Sequence, residues 1–261
     1  MAKKLGFALG SGGSRGVAHI GFLKAMEENG IVPDFVSGCS MGSVVGSCYC
    51  KGMSADEMYN EVKKLKPSEL FDLSLSPLNN GALLRSNKMQ KKLEKYLGDL
   101  NFEQLKIPFT CVATDLITGK IKVFSGEEKV LTAVVSSSSI PGVFKPVQYG
   151  EEVLVDGGVA CRVPIDQVRD MGAEVVVGVD VLGNVRYCDK KFNMLSVIFR
   201  MIDISDGLAT DLRLEKQKPD LILRPDMGDM SQYKFKELDK AYQSGYDIGV
   251  ANAEKIKQLI D

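Results

Sequence analysis

The chain has no tryptophan, one histidine and no CxxC pair among its six cysteines. Each absence removes a class of chemistry. A lone histidine, His19, cannot build a histidine-rich metal centre. Cys39, Cys48, Cys50, Cys111, Cys161 and Cys188 lack the spacing of zinc ligands, and Cys48-Tyr49-Cys50 is too tight to supply a pair. They read as reduced packing thiols, which points to a cytoplasmic protein with no metal. No run of about 18 apolar residues occurs that could span a membrane. The longest apolar run, Val175–Leu182, is broken by Gly178 and Asp180 and reads as a buried strand. Met1–Leu9 has a small basic start but neither a long apolar stretch nor a cleavage site, so it reads as a first strand and not as a signal peptide. A net charge of −1 offers no basic field for nucleic acid, and brief contact with a membrane surface stays open.

What is present is an ordinary globular composition, 44% hydrophobic and 26% charged over 261 residues, enough to bury a full core without staples. Apolar runs alternate with segments of helical period. Leu5–Leu9, Phe35–Val36, Phe109–Thr114, Ile121–Phe124, Val153–Val155, a region within Gly172–Val181 and Asp220–Arg224 read as strands. Val17–Asn29, the small-residue segment through Cys48, Asn87–Leu97, Phe192–Leu214 and Phe235–Ile260 read as helices. Ser54-Ala-Asp-Glu57 is a capping box opening another helix toward Lys66. Strands alternating with helices, without repeats or linkers, predict one three-layer α/β/α domain over residues 1–261, with a central, mostly parallel sheet.

Two glycine-rich turns carry the chemistry. Gly38-Cys39-Ser40-Met41-Gly42 fits G-x-S-x-G between an apolar strand and a small-residue helix, the setting of a nucleophile elbow; a tight turn with a hydrogen-bonding serine fits the same five residues. Gly10-Ser-Gly12-Gly13-Ser14-Arg15-Gly16 also follows a strand and opens a helix, where backbone N–H groups converge on negative charge. A dinucleotide loop would need glycine where Arg15 stands, and a P-loop would need a terminal Gly-Lys-Ser/Thr. An oxyanion hole needs only paired N–H groups, each contributing roughly 3–4 kcal/mol to the transition state, and it fits best. For the base, His19 lies inside the first helix and reads as a partly buried helix histidine. A carboxylate remains. Asp156 ends a strand ahead of Gly157 and Gly158, where burial would raise its pKa toward a working range; Asp180, also at a strand end, is the alternative.

Taken together, Gly10–Gly16, Gly38–Gly42, Ser139-Ile-Pro-Gly-Val-Phe-Lys-Pro146 and Asp156-Gly-Gly158 resemble, in order and spacing, the patatin-like phospholipases. Gly81-Ala-Leu-Leu84 and Asp220–Pro225 extend the resemblance over most of the chain. It implies a Ser40–Asp156 dyad without histidine, an oxyanion hole from the amides of Gly12 and Gly13 with Ser14 or Arg15, and structural roles for Gly10, Gly16, Gly38, Gly42, Gly157 and Gly158. Arg15 would either position the loop or hold the helix start in a salt bridge. The implied activity is hydrolysis of lipid acyl esters, of phospholipase A or lysophospholipase type, without metal or organic cofactor. An acyltransferase using the same serine and a catalytically silent regulatory protein are the rival readings. Leucines between Lys66 and Leu84 suggest either a lid or a surface-crossing loop. Met194–Ile202, apolar on several sides, reads as core or as a dimer contact. Which lipid is cleaved and the oligomeric state are left open by the sequence.

Overall fold

The fold comes from a computed structural model, which describes residues 2–65, 72–73, 84–85, 87–184, 194–233 and 235–261. The central sheet is built from β1 (Leu5–Leu9), β2 (Phe35–Cys39), β5 (Phe109–Asp115), β6 (Ile121–Phe124), β7 (Val147–Tyr149), β8 (Glu152–Asp156), β9 (Val175–Val179) and β10 (Leu221–Leu223); β3 (Asp72–Leu73) and β4 (Leu84–Arg85) form a separate two-residue ladder. Strands β10, β9, β1, β2 and β5 run parallel, and β6, β7 and β8 add antiparallel pairings. Both faces of the parallel strands are covered, which is why they read as continuous apolar runs.

Alternation along the strands sorts side chains into two cores. Leu5, Phe7, Leu9, Val175, Val177 and Val179 point to one face; Ala8 and Val176 point to the other. The first face is covered by α1 (Val17–Glu28), α2 (Met41–Lys51), α5 (Val130–Ser137) and α8 (Leu238–Ile260), the second by α6 (Ile165–Asp170) and the end of α7 (Met194–Gln217). This is the three-layer α/β/α arrangement. Helices α1 and α8 approach backbone to backbone: a Cβ on Gly21 would lie 1.9 Å from the Tyr242 carbonyl oxygen, and one on Gly245 would lie 1.9 Å from that of Ala18. The remaining helices are α3 (Ala55–Lys63) and α4 (Asn87–Leu97). The capping box forms as expected, with the Ser54 hydroxyl accepting from the Glu57 N–H and the Glu57 carboxylate accepting from the Ser54 N–H at 2.8 Å.

One register decides the site. Strand β6 occupies one edge of β5 from Cys111 to Thr114. Strand β2 occupies the opposite edge as far as Cys39, paired with Val112; the next residue, Ala113, pairs instead with Asp156 of β8. The end of β8 therefore meets the end of β2 on a shared edge. Residues 116 positions apart in sequence are brought together by successive positions on one strand.

Sequence expectations and structure differ in places. The second strand continues through Cys39, and the closing helix starts at Leu238. Short α5, α6 and β7 were not anticipated, being too brief for a periodic pattern. The Lys66–Leu84 stretch, apart from the two-residue ladder, lies outside the described residues, as do Cys188 and the first residues of the Phe192–Leu214 helix. Within α7, Met194, Val197, Ile198, Met201 and Ile202 are exposed, so this stretch is not core.

Candidate active site

Strand β1 is flanked by β2 on one side and β9 on the other, so the connection reverses direction across the sheet at this point. In open α/β sheets the crevice outside the carboxyl ends at such a reversal is where ligands bind. Both glycine turns open there. They are locked against each other: a Cβ on Gly42 would lie 2.1 Å from the Leu9 carbonyl oxygen, and one on Gly16 would run into Met41. Only glycine permits that approach.

Ser40 sits at the kink between β2 and α2 with φ 52° and ψ −121°, a left-handed conformation that costs a non-glycine residue about 1–3 kcal/mol. The surroundings hold it there. Its N–H donates to the Ser137 hydroxyl at 2.9 Å, and its carbonyl accepts from the Ser43 hydroxyl at 2.6 Å and the Ser43 N–H at 2.8 Å. The strain aims the hydroxyl, which donates to Asp156 Oδ2 at 2.5 Å.

Asp156 is fixed on all sides. Its Oδ1 accepts from the Gly158 N–H at 2.7 Å, its own N–H donates to the Ser139 carbonyl at 2.9 Å, and its carbonyl accepts from the Thr114 hydroxyl at 3.0 Å. Gly157 passes where a Cβ would lie 2.3 Å from the Val112 carbonyl oxygen. Burial pushes the Asp156 carboxyl up to about 7; the Ser40 hydroxyl and the Gly158 N–H oppose that shift, and the Asp206 carboxylate on α7 adds to it. A carboxylate so placed changes protonation near neutral pH, within hydrogen-bond reach of a hydroxyl: the geometry a general base needs.

In the first turn the amides divide into two sets. The Ser11 N–H donates to the Arg162 carbonyl at 2.9 Å, the Ser14 N–H to the Gln232 carbonyl at 3.0 Å, and the Arg15 N–H to the Gly12 carbonyl at 3.0 Å. Among the described residues the N–H groups of Gly12 and Gly13 meet no acceptor. Of the four amides expected as oxyanion donors, those of Ser14 and Arg15 are committed elsewhere, leaving two at the opening of the 3₁₀ turn Gly13–Gly16 that leads into α1. The buried Arg15 guanidinium donates to the carbonyls of Val181 and Met230, each at 2.9 Å, and so anchors the loop through backbone oxygens.

The other candidates are accounted for. Nε2 of His19 lies 2.7 Å from the Gly10 carbonyl and so carries the proton; complete burial pushes the imidazole down to about 4 and keeps it neutral. It braces the glycine loop. Asp180 receives Nε and Nη2 of Arg162 at 2.9 and 3.0 Å, with Arg224 at 3.2 Å, and is fully engaged as an ion-pair acceptor. Reasoning from sequence missed Ser137, Arg162 and Asp206, and gave Ser139 no role beyond opening the proline segment. The run Ser136–Ser139, which leads into the proline segment, was the one available signal for the serines.

The model for patatin-like phospholipases matches residues 7–169, which contain both glycine turns, Ser40 and Asp156. The chain belongs to the patatin-like phospholipase family. Relatives include an uncharacterized NTE family protein of Mycobacterium tuberculosis, 34% identical over 181 residues covering 69% of this chain and 50% of the relative. Lysophospholipase nte1 of Aspergillus fumigatus is 28% identical over 98% of this chain but only 18% of its own length. This patatin-like chain thus spans half or less of these curated relatives. Among solved structures, VipD from Legionella pneumophila shares the fold with a TM-score of 0.62 at 16% identity, covering 97% of this chain and 67% of that one. ExoU of Pseudomonas aeruginosa, in complex with SpcU, gives 0.51 at 14% identity, covering all of this chain and 53% of that one. At such identities the likeness is one of fold.

Proposed function

We propose that residues 1–261 form a single patatin-like acyl hydrolase unit that cleaves acyl esters of lipids through Ser40 and Asp156. The observation that carries this reading is the 2.5 Å hydrogen bond from the Ser40 hydroxyl to a buried carboxylate whose pKa lies at about 7. Asp156 accepts the Ser40 proton as Oγ attacks the ester carbonyl. The new C–O bond pushes charge onto the former carbonyl oxygen, where the Gly12 and Gly13 amides receive it. Collapse of this intermediate breaks the bond to the alcohol, which leaves with the proton from Asp156. Water then attacks the acyl-serine, gives a proton to the same carboxylate, and releases the fatty acid as Ser40 regains its hydrogen. None of these steps calls on a metal or an organic cofactor.

The lipid class rests on the family and on relatives named lysophospholipase. Five described cysteines are free and buried, which fits a reducing, cytoplasmic setting. No helix among the described residues is long and apolar enough to cross a membrane, so lipid would be met at a surface. A fluorophosphonate probe tests the nucleophile: wild type should label at Ser40, and Ser40→Ala should not. Lysophospholipid, diacyl phospholipid and triacylglycerol offered to both proteins then define the substrate. Labelling without hydrolysis, together with acyl transfer to an added thiol or alcohol, would favour the transferase reading. No labelling at all would favour a silent protein.

A further inference from the structure

Helix α7 is built inside out. Toward the protein it presents Asp203, Asp206, Thr210 and Gln217. Asp203 accepts from Gln232 and Tyr233, each at 2.9 Å; Asp206 accepts from Arg162 at 3.1 Å; Gln217 donates to Asp166 at 2.8 Å. Large apolar residues face inward at Phe199, against Tyr233, and at Leu214, which joins the smaller core. The opposite face is an apolar stripe of Met194, Val197, Ile198, Met201, Leu208 and Leu212 at helical spacing; Met201, Leu208 and Leu212 are 63, 64 and 68% exposed. The 19 residues from Met194 to Leu212 span about 27 Å at a rise of 1.5 Å per residue. An outward apolar stripe of this length, interrupted only by Ser205, marks an interaction surface.

Position and charge say what covers it. The inner face of α7 is one residue removed from the glycine loop at two points. Asp203 holds Gln232, whose carbonyl receives the Ser14 N–H, and Asp206 holds Arg162, whose carbonyl receives the Ser11 N–H. The helix is thus tied to the glycine loop, which packs against the Ser40 turn through Gly16 and Met41. The six residues of the stripe carry no charge, and Asp211 beside Leu212 is paired with Arg224, so the stripe itself offers no charge complementarity to an anionic or a cationic partner. An uncharged apolar face fits a surface whose head groups are themselves net neutral.

We propose that the outward face of α7 docks the protein on zwitterionic lipid surfaces and delivers substrate from them to the site beneath. This rests on the lipid hydrolase reading, but its test does not. Binding is read first, by co-sedimentation of Ser40→Ala with phosphatidylcholine vesicles, so that no lipid is consumed. The combined substitution of Met201→Ser, Leu208→Ser and Leu212→Ser in that background should lower partitioning at least about tenfold, since each apolar side chain placed in lipid adds a tenfold or greater preference. In the active protein the same triple should slow hydrolysis of vesicle lipid to a similar extent and leave turnover of a short-chain soluble ester within about twofold. Should the triple lose soluble-ester turnover, Leu212→Ser alone carries the comparison. Four results would overturn the proposal: no binding of Ser40→Ala to phosphatidylcholine; binding only after phosphatidylglycerol is added; undiminished binding by the triple; or a dimer in sedimentation velocity that the triple converts to monomer, which would make the stripe a contact between copies. Failure of wild type to hydrolyse any ester, with vesicle binding intact, would reject the hydrolase reading and leave the docking face standing.

Discussion

The two glycine turns are written in nearly the same grammar and do different work. Each follows a parallel strand, each opens a helix, and each contains a buried serine. In the first turn the left-handed residue is Gly13, φ 51°, and Ser14 turns its hydroxyl onto the carbonyls of Ser231 and Gln232 at 3.1 and 3.2 Å. In the second the left-handed residue is Ser40 itself, φ 52°, with its hydroxyl on Asp156. A glycine takes that conformation at no steric cost, whereas a serine must be held in it. The difference separates a loop that presents amides from a turn that presents a nucleophile, and substitutions at matched positions can break it.

The largest contrast is in turnover. Ser40→Ala should lower kcat by roughly 10⁴-fold or more, as loss of an acyl-forming nucleophile does, while Ser14→Ala should stay within about threefold. Comparable losses at both serines would erase the distinction. Asp156→Asn should match Ser40→Ala in rate but differ in stability. The native carboxyl titrates at about 7 against an ordinary value of 3.8, so between those limits the folded protein binds more protons than the unfolded chain, and stability falls as pH rises through the window. The amide cannot ionise and escapes that loss. Urea unfolding at pH 8 should show Asp156→Asn more stable than wild type by on the order of 2–4 kcal/mol, with the gap closing toward pH 4.

Next in size is the first turn's own glycine. A Cβ at Gly13 would lie 2.4 Å from the Gln232 carbonyl oxygen at a φ that side chains avoid. Gly13→Ala should therefore cost about 2–3 kcal/mol of stability, and turnover should fall as the amide shifts. Wild-type kcat/KM should decline tenfold per unit below about pH 7, because only the ionised carboxyl accepts the Ser40 proton. A profile flat down to pH 5 would separate Asp156 from proton transfer.

Much of this was legible without coordinates, for identifiable reasons. Strand β1 reads as apolar because it is buried on both faces, and the capping box at Ser54–Glu57 is a purely local device. The glycine turns were legible because close backbone approach leaves no alternative residue. The meeting of Ser40 with Asp156 depends instead on β8 taking over the edge of β5 where β2 stops, a long-range register that leaves no periodic trace. Asp180, also at a strand end but without the two glycines that follow Asp156, was the alternative carboxylate; Arg162 and Arg224, both distant from it in sequence, settle its role. The amides of Ser14 and Arg15 could not be discounted before Gln232 and the Gly12 carbonyl were seen to accept them. Helix α7 misled for a different reason: apolar spacing is the same whether a stripe faces the core or the outside, and only the inward placement of Asp203 and Asp206 tells them apart.

The smallest expected effect is also the sharpest, because its sign should reverse between the turns. Ser40→Ala and Ser40→Gly both remove the hydroxyl, so neither turns over substrate, but alanine keeps a Cβ in the left-handed region and glycine does not. Ser40→Gly should then be the more stable of the two by about 1 kcal/mol, the relief of strain exceeding the extra entropy glycine loses on folding. Ser14 lies inside a 3₁₀ turn, Gly13–Gly16, and is absent from the residues with positive φ, so glycine there gains nothing and loses more chain entropy. Ser14→Gly should be less stable than Ser14→Ala by about 0.5–1 kcal/mol. Four denaturation midpoints measured in one buffer decide the matter. Opposite signs assign the strain to the nucleophile alone, and equal signs would mean that the second turn relaxes once its hydroxyl is gone.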